Sequence, residues 1–247
     1  MVAEVRKNWR DVGATLDQLI AAGPAATAAT LTTGPAVVSA LPRLDDVPPS
    51  GMLPRGRLLR CGRVDFCTME ELGAPAAIVN LRIDADEFPP GMLEAAGTVA
   101  IHCPAENKVE KYDTSQHCVR LWIADVLRHL EQPAHFPVLV HCKHGRDRTG
   151  IIIAALLAIL DVPVPVVRAE YALAEDCRPD LFELTLAGFG LVAPASSSSV
   201  SDGKKGRPKP FIQPATPSDA FRSYIRGLVD VDTIRRNLLH MPPTSAS

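Results

Sequence analysis

The sequence predicts a single α/β domain, and three features predict it. The chain has 247 residues, 47% of them hydrophobic, which suffices for one substantial core with appended pieces and not for two. Short apolar runs rich in Val and Ile sit close to Gly and Pro, as buried strands do. Longer segments, either apolar throughout or apolar at three-to-four spacing, follow them as helices that pack on a sheet.

Residues 1–50 begin with a short helix expected around Trp9 to Ala22, then turn rich in Ala, Thr, Gly and Pro. Ala25 to Ser50 reads as a loosely structured connection. Residues 51–192 form the expected core. Within it Arg57 to Cys61 reads as a strand, Met69 to Leu72 as a helical turn, and Ala76 to Leu81 and Thr98 to His102 as buried strands. Between Ser115 and Gln132 the residues Val119, Trp122, Ile123, Val126, Leu127 and Leu130 describe an amphipathic helix, with Thr114 or Ser115 available as N-cap. Pro137 to His141 is the next strand, followed by a glycine-containing loop and the apolar helix Gly150 to Leu160, which Asp161 and Pro163 end. Helices over Val166 to Asp176 and Leu181 to Phe189 complete the core. Residues 193–217, with Ser196 to Ser199 in a row and repeated prolines, read as a flexible linker. Residues 218–247 form a C-terminal helix and tail whose Phe221, Tyr224, Ile225, Leu228, Ile234 and Leu238 require an apolar surface to dock on.

A formal net charge of −2 supplies no global cationic field, so nucleic acid is not expected as a partner, and affinity for phosphate has to be local. Lys204 to Pro210 is basic, but one short segment of that kind reads as a solubilising part of the linker. The first eleven residues carry Glu4, Arg6, Lys7, Arg10 and Asp11, which does not resemble a secretory signal. Ile151 to Leu160, the longest apolar run, is about half the length that spans a bilayer, so no transmembrane segment is expected. A cytoplasmic location follows, with the nucleus as the alternative. Six cysteines, at 61, 67, 103, 118, 142 and 177, fit neither a disulfide framework nor a metal site and read as free thiols.

The chemistry concentrates in His141 to Gly150, the string HCKHGRDRTG, lying between the last strand and the apolar helix. A phosphate monoester requires an ionised nucleophile, a cradle for three oxygens and an acid for the departing oxygen. Cys142 is the nucleophile candidate. The backbone of Lys143, His144, Gly145, Arg146, Asp147 and Arg148 can aim its N–H groups at one point above the sulfur, where the helix N-terminus also favours an anion. Arg148 can return across the loop for a bidentate contact with phosphate, which a lysine cannot reproduce. Thr149 can donate its hydroxyl to the thiolate as it leaves in a second step. Gly145 and Gly150 are expected to permit tight curvature, and His141 to order the loop by hydrogen bonding.

These residues resemble the signature of the protein tyrosine and dual-specificity phosphatase superfamily. The chain is similar in particular to the branch of bacterial tyrosine phosphatases and plant and fungal atypical dual-specificity phosphatases. Asn8 to Gly13 (NWRDVG) resembles that branch's NFRDLGG element, Leu58 to Arg63 (LLRCGR) its LYRSGR, and Val79 to Arg82 (VNLR) its INLR. It departs in a longer Ala-rich stretch after the first element and in Cys61, where serine is usual. The resemblance implies the cysteine-dependent phosphatase fold, a central mainly parallel sheet flanked by helices. It also implies hydrolysis through a phosphocysteine intermediate, with no cofactor.

The acid is the open position. Asp113, twenty-nine residues before Cys142, matches the spacing of the acid loop in many members, and Asp147 matches branches that draw the proton from inside the loop; Asp147 is preferred. Lys143 and Arg146 are expected beside the phosphate, as in phosphatases that act on multiply phosphorylated inositol rings, with Lys108 and Lys111 as an optional extension of that rim. Substrates therefore span phosphotyrosine, phosphoserine and phosphothreonine proteins, inositol polyphosphates and phosphoinositides; the oligomeric state is left open. Arg82 reads as a brace at the sheet end, and Cys103 as a buried unreactive thiol. The contrasting functions are a non-catalytic phosphate-binding module, which the retained Cys142 and Arg148 disfavour, and a redox or sulfur-transfer role, which the Arg-Thr-Gly continuation disfavours.

Overall fold

A computed structural model describes residues 7–30, 53–106, 108–194 and 216–240. Five strands form one sheet in the order β1-β2-β5-β3-β4: β1 (Arg10–Asp11), β2 (Leu58–Cys61), β3 (Ala77–Asn80), β4 (Val99–His102) and β5 (Val138–His141). Strands β2, β5, β3 and β4 run parallel, and β1 pairs antiparallel with β2. Cys61, His141 and Asn80 stand level in register at the carboxyl end, with β5 in the middle. A central strand ending in a loop between two parallel neighbours is where α/β sheets place their ligands.

Side chains alternate along these strands. Leu58, Ala77, Val79, Val138 and Val140 enter the main core, while Leu59, Cys61, Ile78 and Leu139 enter a smaller one on the opposite face. Burial on both faces makes β3 and β5 mostly apolar, and in β2 the apolar run is broken by the buried Arg60.

The main face carries α1 (Val12–Thr30), α3 (His117–His129), α4 (Asp147–Ile159), α5 (Val164–Ala172), α6 (Pro179–Gly188), α7 (Pro217–Tyr224) and α8 (Val231–Leu239). The short α2 (Met92–Ala96) lies with the smaller cluster through Leu93. All thirteen residues of α4 are buried, which explains its lack of a polar face. No helix among the described residues is long and apolar enough to cross a membrane. All six cysteines are free.

Several elements differ from the sequence expectation. Helix α1 runs on to Thr30, so the connection cannot begin at Ala25. Thr114 does not cap α3; its hydroxyl donates to the Thr185 carbonyl at 2.9 Å and so ties the segment to α6, while Gln116 is the N-cap residue. Helix α4 starts at Asp147, three residues earlier than expected, because the motif's loop runs directly into its first turn. The C-terminal segment is two helices, divided around Gly227, whose φ of 74° no helix accommodates. Most of 193–217, including Lys204 to Pro210, lies outside the described residues.

Helix α8 docks at the end of the sheet remote from the motif, and α7 packs along α4 and on Phe189. Arg57, just before β2, donates to the Asn237 carbonyl at 2.8 Å, and Asn237 donates to the carbonyls of Leu130 and Glu131. Arg235 binds the Ile159 carbonyl and Asp161 at the C-terminus of α4. Helix α8 thus braces that end of the fold.

Candidate active site

The loop joining β5 to α4 carries Cys142, which is 2% exposed. Neither Lys143 nor any residue from Gly145 to Thr149 donates its backbone N–H to a described acceptor; the first to do so is Gly150, to the Arg146 carbonyl at 2.8 Å. Buried N–H groups are almost always paired. A run of them left over beside a buried sulfur at a helix N-terminus is a cradle suited to an anion.

Arg148 is 4% exposed and anchored by one end only. Its Nη1 donates to the carbonyls of Leu81 and Ala105, both at 2.8 Å, while its buried Nε has no partner among the described residues. The anchored fork thus retains donors for a bidentate contact. The Thr149 hydroxyl is likewise buried without a partner.

Surrounding residues hold the loop from several sides. Asn8 donates to the His144 carbonyl at 2.8 Å and accepts from the Glu175 N–H. Arg60 donates to the Gly145 carbonyl at 2.5 Å, and Glu170 bridges Arg60 and Arg10. Burial works to raise the Glu170 pKa, but the two guanidinium charges outweigh it and hold the carboxylate below its usual range. Gly145 has φ 67°, and a Cβ there would come within 2.6 Å of the Gly62 nitrogen. Gly150 serves differently from the expected loop curvature: it lies within α4, and its missing Cβ admits the Tyr171 ring, which a side chain would meet at 2.8 Å.

His141 Nε2 lies 2.9 Å from Asp86, which also pairs with Arg82; Arg82 in turn binds Asp65 at 2.8 Å. Arg82 therefore braces the sheet end, as its acidic neighbours suggested. Cys103 is buried, and burial together with the nearby Asp125 charge pushes its thiol up to about 11, which suits an unreactive thiol.

Arg146 departs from the expectation of a second basic side chain on the phosphate. Its Nε and Nη2 grip both oxygens of Asp147 at 3.0 and 3.1 Å, and Nη1 donates to the Asp176 carbonyl, so its guanidinium is committed inside the protein. Lys143 is exposed, while Lys108 pairs with Glu106 and Lys111 lies 6.0 Å over the Trp122 ring.

The two acid candidates sit in different surroundings. Asp113 accepts from Ser115 and Gln116 at the approach to α3, and the Ser115 hydroxyl is the main cause of its lowered pKa. Asp147 is 7% exposed and accepts from Arg146 and from the Tyr112 hydroxyl. Burial acts to raise its pKa, and those hydrogen bonds, with the charges of Arg146 and Arg178, more than offset it. Tyr112, Tyr171 and Glu170 have no counterpart in the sequence reading, since no local pattern marks a side chain whose partner lies on another element.

The core catalytic domain of the PP-IP phosphatase SIW14 from S. cerevisiae, in complex with citrate, superposes with a TM-score of 0.42 at 17% identity, covering 56% of this chain and 85% of that one. TpbA of P. aeruginosa gives 0.37 at 22% identity, covering 54% and 86%. No curated protein matches the chain. Residues 50–191 match the family model described as the tyrosine phosphatase family. That match spans more than half of the 247 residues, and the chain belongs to the tyrosine phosphatase family.

Proposed function

We propose that the protein is a cysteine-dependent phosphatase that hydrolyses phosphate monoesters through a phosphocysteine intermediate. What carries this reading is the run of N–H groups from Gly145 to Thr149 that donate to no described acceptor, just after the buried Cys142, together with an arginine whose buried Nε has no partner among the described residues. The substrate dianion seats its non-bridging oxygens on these donors and on Arg148, which places phosphorus over the sulfur. The Cys142 thiolate attacks phosphorus, the ester P–O bond breaks, and a proton passes from Asp147 to the departing oxygen. Water then attacks the phosphocysteine, Asp147 takes its proton, and the sulfur leaves with the Thr149 hydroxyl donating to it.

Asp147 is ionised in the free protein by the contacts described. An arriving dianion raises the pKa of a carboxylate beside it, so proton uptake accompanies substrate binding. Asp113 is the rival for this role.

Among the basic side chains of the loop, Arg146 is committed to Asp147 and Lys143 is exposed, which leaves Arg148 as the loop's one buried arginine not held by a carboxylate. A single buried clamp suits a single phosphate, and a phosphotyrosine protein is the favoured substrate. Multiply phosphorylated inositols would gain from a second cation that Arg146 does not supply. Turnover on a panel of phosphotyrosine, phosphoserine and phosphothreonine peptides, inositol polyphosphates and phosphoinositides, with Cys142→Ser as the blank, tests this. Acid-stable phosphate trapped on wild-type protein and absent from Cys142→Ser is expected; turnover that survives Cys142→Ser would overturn the mechanism.

A further inference from the structure

We propose that Tyr112 and Tyr171 form a directed hydrogen-bond relay that positions Asp147 for proton transfer to the leaving oxygen. This inference rests on the reading of Asp147 as the acid.

The three side chains come from three elements and meet out of solvent. Tyr112 ends a single 3-10 turn, Val109–Tyr112, Tyr171 belongs to α5, and Asp147 opens α4; they are 2%, 1% and 7% exposed. The Tyr112 hydroxyl donates to Asp147 Oδ1, so its one proton is used there. The Tyr171 hydroxyl, 3.0 Å away, is therefore the donor to Tyr112, and it accepts in turn from the Arg178 N–H at 3.1 Å. The chain runs in one direction, from a backbone N–H through two hydroxyls to one carboxylate oxygen.

Both rings are fixed. Tyr171 stacks on Phe182 with centroids 3.9 Å apart and planes 1° from parallel, against the gap left by Gly150. The Thr185 hydroxyl donates to the Tyr112 carbonyl at 3.1 Å. Two buried hydroxyls cost free energy unless they are used, and a pair of phenylalanines would fill the same space without that cost. Their use is Asp147. The remaining charged groups that face it are Arg146, whose far side meets Asp176, and Arg178 beyond Tyr171.

The relay accommodates both states of the acid. When Asp147 carries its proton, that proton sits on the oxygen Tyr112 does not hold, so Tyr112 still donates to Oδ1 and the acid O–H is left for the departing oxygen. As the ester P–O bond breaks and the proton moves to the departing oxygen, the new carboxylate receives the Tyr112 O–H in place, with no solvent reorganisation. The tyrosines touch no reacting atom and act as positioning residues.

The test compares wild type, Tyr112→Phe, Tyr171→Phe and Asp147→Asn on an alkyl phosphate and on p-nitrophenyl phosphate, across pH, with thermal melting to confirm folding. The alkyl ester needs the acid and the nitrophenyl ester does not. In Tyr112→Phe, kcat on the alkyl ester is expected to fall about tenfold with kcat on the nitrophenyl ester nearly unchanged. Loss of a hydrogen bond donated to a carboxylate raises its pKa, so the basic limb of the alkyl profile should move up by about one pH unit. Tyr171→Phe should move it the same way by less, and Tyr112→Phe should add nothing to Asp147→Asn. If Asp147→Asn slows the alkyl ester selectively while both tyrosine variants slow the two esters alike or leave the limb in place, the relay alone is overturned. If Asp147→Asn slows both esters equally, the acid assignment falls and the relay falls with it.

Discussion

Arg60 and Glu170 meet at 2.6 Å with no more than 2% of either side chain exposed, and the same guanidinium donates to the Gly145 carbonyl at 2.5 Å. An ion pair on α5 and β2 is thereby the strut of the loop between β5 and α4. Glu170→Gln leaves Arg60 and Arg10 as buried cations with one neutral partner and is expected to cost about 3–5 kcal/mol in denaturant unfolding. The sign of its pH dependence follows from the depressed pKa of Glu170. The stabilisation is complete above the unfolded-state value of about 4.3 and is lost as pH falls through the folded value. The gap between wild type and variant should therefore be widest near neutrality and close on acidification.

Gly145→Ala puts a methyl group 2.5 Å from the Cys61 carbonyl oxygen at a φ of 67°. The backbone has to move, and a shift of about 1 Å in a cradle costs about a hundredfold in rate. The kcat/KM for an aryl phosphate should fall by that order in protein that still melts cooperatively.

Arg148→Lys retains the charge and loses the fork. A single ammonium cannot both satisfy the Leu81 and Ala105 carbonyls and present two parallel donors to phosphate. Turnover is expected to drop about 10²- to 10³-fold, with inorganic phosphate weaker as a competitive inhibitor.

Phe221→Ala separates stability from activity. Phe221 is fully buried on α7, edge-on to Phe189 at 5.2 Å, and truncation should cost about 3–5 kcal/mol. Because Phe221 packs on Phe189 and the core rather than on the loop that carries Cys142, kcat/KM at low temperature should remain within about twofold of wild type.

Much of this molecule is legible in the order of its residues. The strands over 57–61, 76–81, 98–102 and 137–141 are found within a residue of their expected bounds, because each is a short apolar run closed by polar or turn residues. Helix α3 shows its period, and the parallel sheet accords with the family the motif resembles. Less legible were the ends of helices: Gly23 and Pro24 signal a stop after Ala22, yet α1 runs through them to Thr30, and nothing before Gly150 announces that α4 has already begun.

The sequence by itself singled out the candidate loop, because an anion cradle made of consecutive backbone N–H groups is necessarily a contiguous stretch of chain, and the proposed nucleophile and clamp fall six residues apart within it. Only the tertiary structure decided what holds that loop and what each of its charged side chains faces. Arg60 finds Glu170 across 110 residues, and Tyr112 finds Asp147 across 35. Arg146, which spacing alone would assign to substrate, turns to Asp147 and Asp176 instead. The physical reason is that a buried charge must be matched by whatever packing brings beside it, and packing is a property of the assembled sheet and helices rather than of neighbouring residues.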